Sequence, residues 1–150
     1  MKTKEEQKAT INTCTDLVKI NNDRIQGYNK AVEHAKNNPE LQILFKEKVR
    51  ESERFVSELN ELTTRMGGEA TDNPTVSGEI FRGWMAIKDT FKPSDKTSIL
   101  ESCEFGEDAA LKAYDMALKV KDLDPDVKSR VEEQRRVIKE SHDQIKAKRD

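Results

Sequence analysis

Apolar side chains recur along this chain in steps of three and four. From about residue 5 to 36 they are Ile11, Cys14, Leu17/Val18, Ile25, Tyr28, Val32 and Ala35, with polar residues between. That spacing gathers them on one face of a long helix. Asn37-Asn38-Pro39-Glu40 then stops the helix and starts another. Asn38 can cap, Pro39 fits a first turn and Glu40 suits the positive end of the helix dipole. The second stripe, Leu41, Leu44/Phe45, Val49, Ser52, Phe55/Val56, Leu59 and Leu62, leads to Met66-Gly67-Gly68, where glycine supplies a stop. This predicts a helix over 39–66, antiparallel to the first because the turn between them is short.

Residues 67–94 begin with glycine, proline, threonine and aspartate and close on Pro93. Within them Ile80, Phe81, Trp84, Ile87 and Phe91 keep helical spacing and predict a short helix over 77–91. Ser94 suits the cap of a third long helix, 95–120, with Ile99/Leu100, Cys103, Glu107, Ala110/Leu111, Tyr114 and Ala117/Leu118 on one face. Asp124-Pro125 repeats the device of the first turn and opens a fourth helix, 125–148, with the stripe Val127, Val131, Gln134, Ile138, His142, Ile145. Two hairpins joined by one long crossover make an all-α, ferritin-like up-down-down-up four-helix bundle whose crossover carries a short extra helix. Residues 1–150 are expected to form one domain.

Composition changes that picture little. Only 34% of residues are hydrophobic and 37% are charged, proportions that alone permit disorder. A slim bundle needs just two or three apolar residues per heptad, so the periodicity decides for folding. The 29 acidic and 27 basic residues nearly cancel, leaving a net charge of −2. That provides no basic field for nucleic acid or an anionic membrane, so neither is expected as a partner. The first residues lack the apolar core of a signal peptide, and no run is long enough to span a bilayer, so the expected location is cytoplasmic. Cys14 and Cys103 form no C-x-x-C pair and are expected to be small buried hydrophobes.

Several segments carry a more specific likeness. They are Asn22-Asp23-Arg24-Ile25-Gln26-Gly27-Tyr28, Glu53-Arg54 with Phe55 and Leu59, and Phe81-Arg82-Gly83-Trp84. Cys103-Glu104-Phe105-Gly106-Glu107-Asp108-Ala109-Ala110-Leu111 and Ser141-His142-Asp143 complete the set. Over roughly 10–148 the chain resembles a bacterial family of uncharacterised four-helix-bundle proteins, a domain of unknown function placed in the ferritin-like superfamily. The resemblance implies the fold and carries no activity with it.

Ferritin-like di-metal sites take one inward Glu from each of two helices and a Glu-x-x-His from each of the other two. Glu107 lies on the inward stripe of the third helix and His142 on that of the fourth. The residue three before His142 is Lys139, where the motif needs Glu. A short likeness between Arg50-Glu51-Ser52-Glu53 and Lys139-Glu140-Ser141-His142 sets Glu53 opposite His142 and Arg50 opposite Lys139. Ile25 is expected to fill the inward place on the first helix, with Asp23, about 200° round from it, facing elsewhere. The inward polar set is then Glu53, Glu107 and His142, with Asn21, Ser52 and Gln134 beside them. Three such groups could hold one divalent ion of iron, manganese or zinc; six ligands cannot be assembled. The competing expectation is a polar layer in which Glu107 pairs with His142, Arg50 or Arg54.

No nucleophile has a base beside it and no phosphate-cradling glycine motif is present, so enzymatic activity is not expected. The sequence favours a non-catalytic structural or interaction protein, with a stress-related role suggested by resemblance to other ferritin-like proteins. A metal-binding or redox protein with a reduced single-metal site is the alternative. The apolar face of the Trp84 crossover helix is expected to cap the open side of the four-helix core; the alternative is a surface for a second copy or a protein partner.

Overall fold

The computed structural model describes residues 3–71 and 96–150. Four helices fill them: α1 Lys4–His34, α2 Pro39–Arg65, α3 Lys96–Ala117 and α4 Pro125–Arg149. The bounds expected from sequence differ from these by at most three residues. The crossover helix expected over 77–91, the Ser94 cap and Trp84 lie outside the described residues.

Local chemistry sets the ends. Asn38 caps α2 by accepting from the Leu41 amide at 3.1 Å, and Asp124 caps α4 by accepting from the Asp126 amide at 2.9 Å; each is followed by proline at the helix start. Thr3 does the same for α1 through the Glu6 amide. At the end of α2, Gly67 takes a φ of +85° while Gly67 N donates to Thr64 O and Gly68 N to Thr63 O, each at 3.0 Å. That pair of bonds is a Schellman cap.

The two glycines do different work. A Cβ on Gly67 would meet nothing within 4 Å, so its cost is backbone strain alone. A Cβ on Gly68 would sit 2.8 Å from Ile11 Cγ2 and from Thr63 Cγ2, both on β-branched side chains with little rotamer freedom. Gly67→Ala is expected to lose about 1 kcal/mol and Gly68→Ala about 1–3 kcal/mol by overpacking. Urea unfolding of the two variants side by side checks the order.

Cross-helix bonds give the topology. Going up α1, Asn21, Arg24 and Tyr28 meet Tyr114 and then Glu107, going down α3. Going up α2, Glu40, Lys48 and Glu58 meet Lys148, Gln144 and Arg130, going down α4. Adjacent helices are therefore all antiparallel, and α2 and α3 run the same way, as one long crossover requires. The order is up-down-down-up.

The apolar core comes in two blocks. One holds Cys14, Leu17, Val18, Phe55, Leu59, Leu62, Ala110, Tyr114, Val127, Val131 and Ile138, among others. The second holds Tyr28, Ala31, Leu41, Phe45, Ile99, Leu100, Cys103 and Ile145. Cys14 and Cys103 are both free and buried, as expected. On every helix buried polar residues lie between the two blocks: Asn21 and Arg24, Ser52, Glu107, and Ser141.

Candidate functional site

The polar layer is organised by Arg24, whose side chain is 1% exposed. Its Nε donates to Glu107 Oε1 at 2.6 Å and its Nη2 to Glu107 Oε2 at 2.9 Å, a two-pronged pairing across α1 and α3. Nη1 donates to Ser52 Oγ at 2.7 Å. Nη2 also reaches Glu51 Oε1 at 2.8 Å and Ser141 Oγ at 3.0 Å. One guanidinium thus touches all the other helices. Its carbon lies 5.4 Å from the centre of the Tyr28 ring, within cation–π range.

Glu107 is completely buried, and two hydroxyls add to its pairing with Arg24. Tyr28 donates its hydroxyl to Oε2 at 2.8 Å, and Ser141 donates to the same oxygen. With the two bonds from Arg24 the carboxylate accepts four, three at Oε2 and one at Oε1. Burial pushes the Glu107 carboxyl up, but the charge of Arg24 and the bonds from Arg24, Ser141 and Tyr28 outweigh it. The group is held below the usual carboxylate range. Burial also acts against the Arg24 charge, and the Glu107 carboxylate more than restores it.

From Arg24 a second line of bonds runs into the neighbouring apolar block. Ser52 donates to Asn21 Oδ1 at 3.0 Å, Asn21 Nδ2 donates to the Tyr114 hydroxyl at 2.8 Å, and Tyr114 donates to Gln134 Oε1 at 2.6 Å. Gln134 Nε2 donates to Glu58 Oε1 at 3.0 Å, and Glu58 is met from outside by Arg130 at 2.9 Å. Every step donates in the same sense, from a buried cation toward a carboxylate at the rim, so the bonds polarise one another.

The residues singled out from sequence fall in three different environments. Glu107 is inward as expected, but its partner is Arg24, not His142, Arg50 or Arg54. Glu53 is exposed, contrary to its expected inward place, because it stands one residue and about 100° round α2 from the inward Ser52. His142 stands at the rim, its side chain 12% exposed, with Nε2 2.8 Å from Asp108 Oδ1 and Nδ1 3.0 Å from Asp143 Oδ1. Glu53, Glu107 and His142 therefore do not make one ligand set. Among the described residues no group of three or more His, Cys, Asp or Glu side chains is placed to hold a metal ion.

Other expectations hold or need correction residue by residue. Asn21, Ser52 and Gln134 are buried and hydrogen-bonded to the layer, as expected. Ile25 is only half-buried, and Arg24 takes the inward place expected of it. Asp23 is fully buried rather than turned away. The likeness between the middle of α2 and α4 does mark structurally paired positions, but the pair that enters the core is Ser52 and Ser141, one residue before Glu53 and His142.

The fold and this layer define the class: a four-helix bundle whose core is divided by a buried Arg–Glu pair hydrogen-bonded to all four helices. Over residues 9–120 the chain matches the family described as Domain of unknown function (DUF2383), and it belongs to that family. The matched stretch holds Asn21, Arg24, Tyr28, Ser52, Glu107 and Tyr114; Gln134 and Ser141 of α4 lie beyond it. No curated protein matches the chain.

Proposed function

We propose that this protein is a non-catalytic structural or interaction protein whose mid-bundle layer locks the helices in register. The observation that carries the reading is the pairing of buried Glu107 with the Arg24 guanidinium. The carboxylate best placed to serve a metal in the core already accepts from Arg24 twice, from Tyr28 and from Ser141. A cation entering there would have to displace a guanidinium that is itself bound on three sides, and the two positive charges would repel. The up-down-down-up order supports placing the family among ferritin-like bundles. Two free buried cysteines suit a reducing, cytoplasmic setting. Helices α1 to α4 contain no segment long and apolar enough to cross a membrane, and the near balance of charge argues against a nucleic-acid partner.

The test is metal content in protein purified without chelator, together with iron(II) oxidation under air. Substoichiometric metal in every preparation and no oxidation above the buffer rate are expected. One tightly bound ion per chain that disappears in Glu107→Ala would overturn the reading and restore a single-metal centre.

A further inference from the structure

The four edges of the bundle differ. Helices pack closely along α1–α2, α3–α4 and α1–α3, whereas α2 and α4 approach each other closely at few points. Long polar side chains bridge that last edge instead. Glu40 accepts from Lys148 at 3.0 Å, Lys48 donates to Gln144 at 2.6 Å, and Glu58 accepts from Gln134 at 3.0 Å and Arg130 at 2.9 Å. In the middle, Arg24 reaches Ser52 and Glu51 on α2 and Ser141 on α4. Near the end of α2 the two helices already stand apart around a groove of about 540 Å³, lined by Leu62, Arg65, Asp126, Ser129, Arg130 and Glu133.

We propose that α2–α4 is the opening edge of the bundle: the hairpins α1–α2 and α3–α4 part there, hinged on the α1–α3 contact, and rising ionic strength promotes the parting. The charged bridges are the salt-sensitive part of this edge. Arg130 and Glu58 have side chains 45% and 25% exposed, and Lys148 and Glu40 33% and 80%. Attraction between groups so exposed is screened by salt, whereas close apolar packing is not weakened by it. Parting along this edge brings Arg24 and Glu107 to solvent while each hairpin stays intact. It rests on the geometry of the edge and is independent of the function proposed above.

The experiment is thiol labelling of the folded protein, read site by site and corrected for each thiol's reactivity in the unfolded chain. Val131→Cys puts a probe on α4 in the apolar block shared with Phe55 and Leu59 of α2. Native Cys103, in the block with Tyr28 and Ala31 of α1, is the reference on the hinge side. The probe is expected to label faster than Cys103, and about three- to fivefold faster in high salt than in low salt, the scale of two or three screened surface pairs. A Lys48→Cys/Gln144→Cys lock, joined by a short bifunctional thiol reagent that spans the gap the two long side chains now bridge, is expected to abolish the difference from Cys103. Equal protection of the two thiols, a probe rate indifferent to salt, or a fast rate that survives the lock would each overturn the proposal. If Val131→Cys loses helical circular dichroism, Val137→Cys on the same helix, labelled with a bulky reagent, reads the same opening.

Discussion

Arg24→Met is expected to destabilise the fold by about 3–5 kcal/mol, the cost of leaving a charged partner buried and unpaired. The guanidinium is the source of two bonds to Glu107, and of those to Ser52, Glu51 and Ser141. Without it Glu107 keeps only Tyr28 and Ser141 as donors, in a place with no exposure to water. The loss should depend on pH in a direction opposite to that of the native protein. In the native chain the Glu107 carboxyl is held below its usual range, so its contribution is present above the unfolded carboxylate value, about 4.3, and falls away as the solution is acidified. In Arg24→Met, burial is countered only by the Ser141 and Tyr28 hydroxyls, and the folded carboxyl rises above that value. The variant should therefore recover stability on going from neutral pH toward about pH 5.

The double variant Arg24→Met/Glu107→Leu separates charge from packing. Replacing a buried pair by apolar residues of similar volume is often neutral or stabilising, so the double variant should recover most or all of the loss. Urea unfolding followed by circular dichroism reads all three chains. A double variant as unstable as Arg24→Met would mean that the hydroxyls of Tyr28, Ser52 and Ser141, left without the pair, carry the cost. The register role makes a further demand: the recovered double variant should show poorer dispersion of side-chain methyl resonances than the native protein. Two apolar blocks fused into one lose the layer that fixes their alignment.

Why Arg24 escapes a search for apolar stripes can be stated in terms of spacing. The buried positions of α1 include Thr10, Cys14, Leu17, Asn21, Arg24, Tyr28, Ala31 and, just past its end, Ala35. That is an unbroken alternation of steps of four and three, and it runs through three polar residues. A count restricted to apolar side chains skips them, moves to Ile25, and turns the face by about 100°. The helix ends were legible because capping is local chemistry: Asn38, Asp124 and Gly67 need only their own backbone neighbours. The Arg24–Glu107 pair is not local. Its residues are 83 positions apart, and a carboxylate on an inward stripe announces that a partner exists without saying which cation supplies it. What could have found Arg24 is the heptad itself, since an arginine at an obligatory inward position of α1 is the counterpart of the glutamate on α3.

On the alkaline side the native protein is expected to lose stability steeply, starting near pH 9, and by about 2–3 kcal/mol from Cys14 alone by about pH 11. Burial pushes the Cys14 thiol up to about 11 from an ordinary value of 9.0. Burial likewise holds Tyr28 and Tyr114 well above the usual phenol range, with the Glu107 charge adding to the effect at Tyr28. In each case the folded chain keeps a proton that the unfolded chain gives up first. Over that interval the unfolded state binds fewer protons, so stability falls as pH rises, beginning at the unfolded value and ending at the folded one. Lys48 works in the opposite direction. Burial lowers its ammonium below the ordinary value, so raising the pH relieves a cost and offsets part of the fall. Cys14→Ala should flatten the limb that begins near pH 9, and Tyr114→Phe the limb that begins near pH 10. Tyr114→Phe also breaks the line between Asn21 and Gln134 and should therefore start from lower stability at neutral pH, by about 1–2 kcal/mol. Urea unfolding at a series of pH values checks the slopes. A native curve that stays level to about pH 11 would show that these three groups titrate in the folded protein at ordinary values, and with that their burial as described would fail.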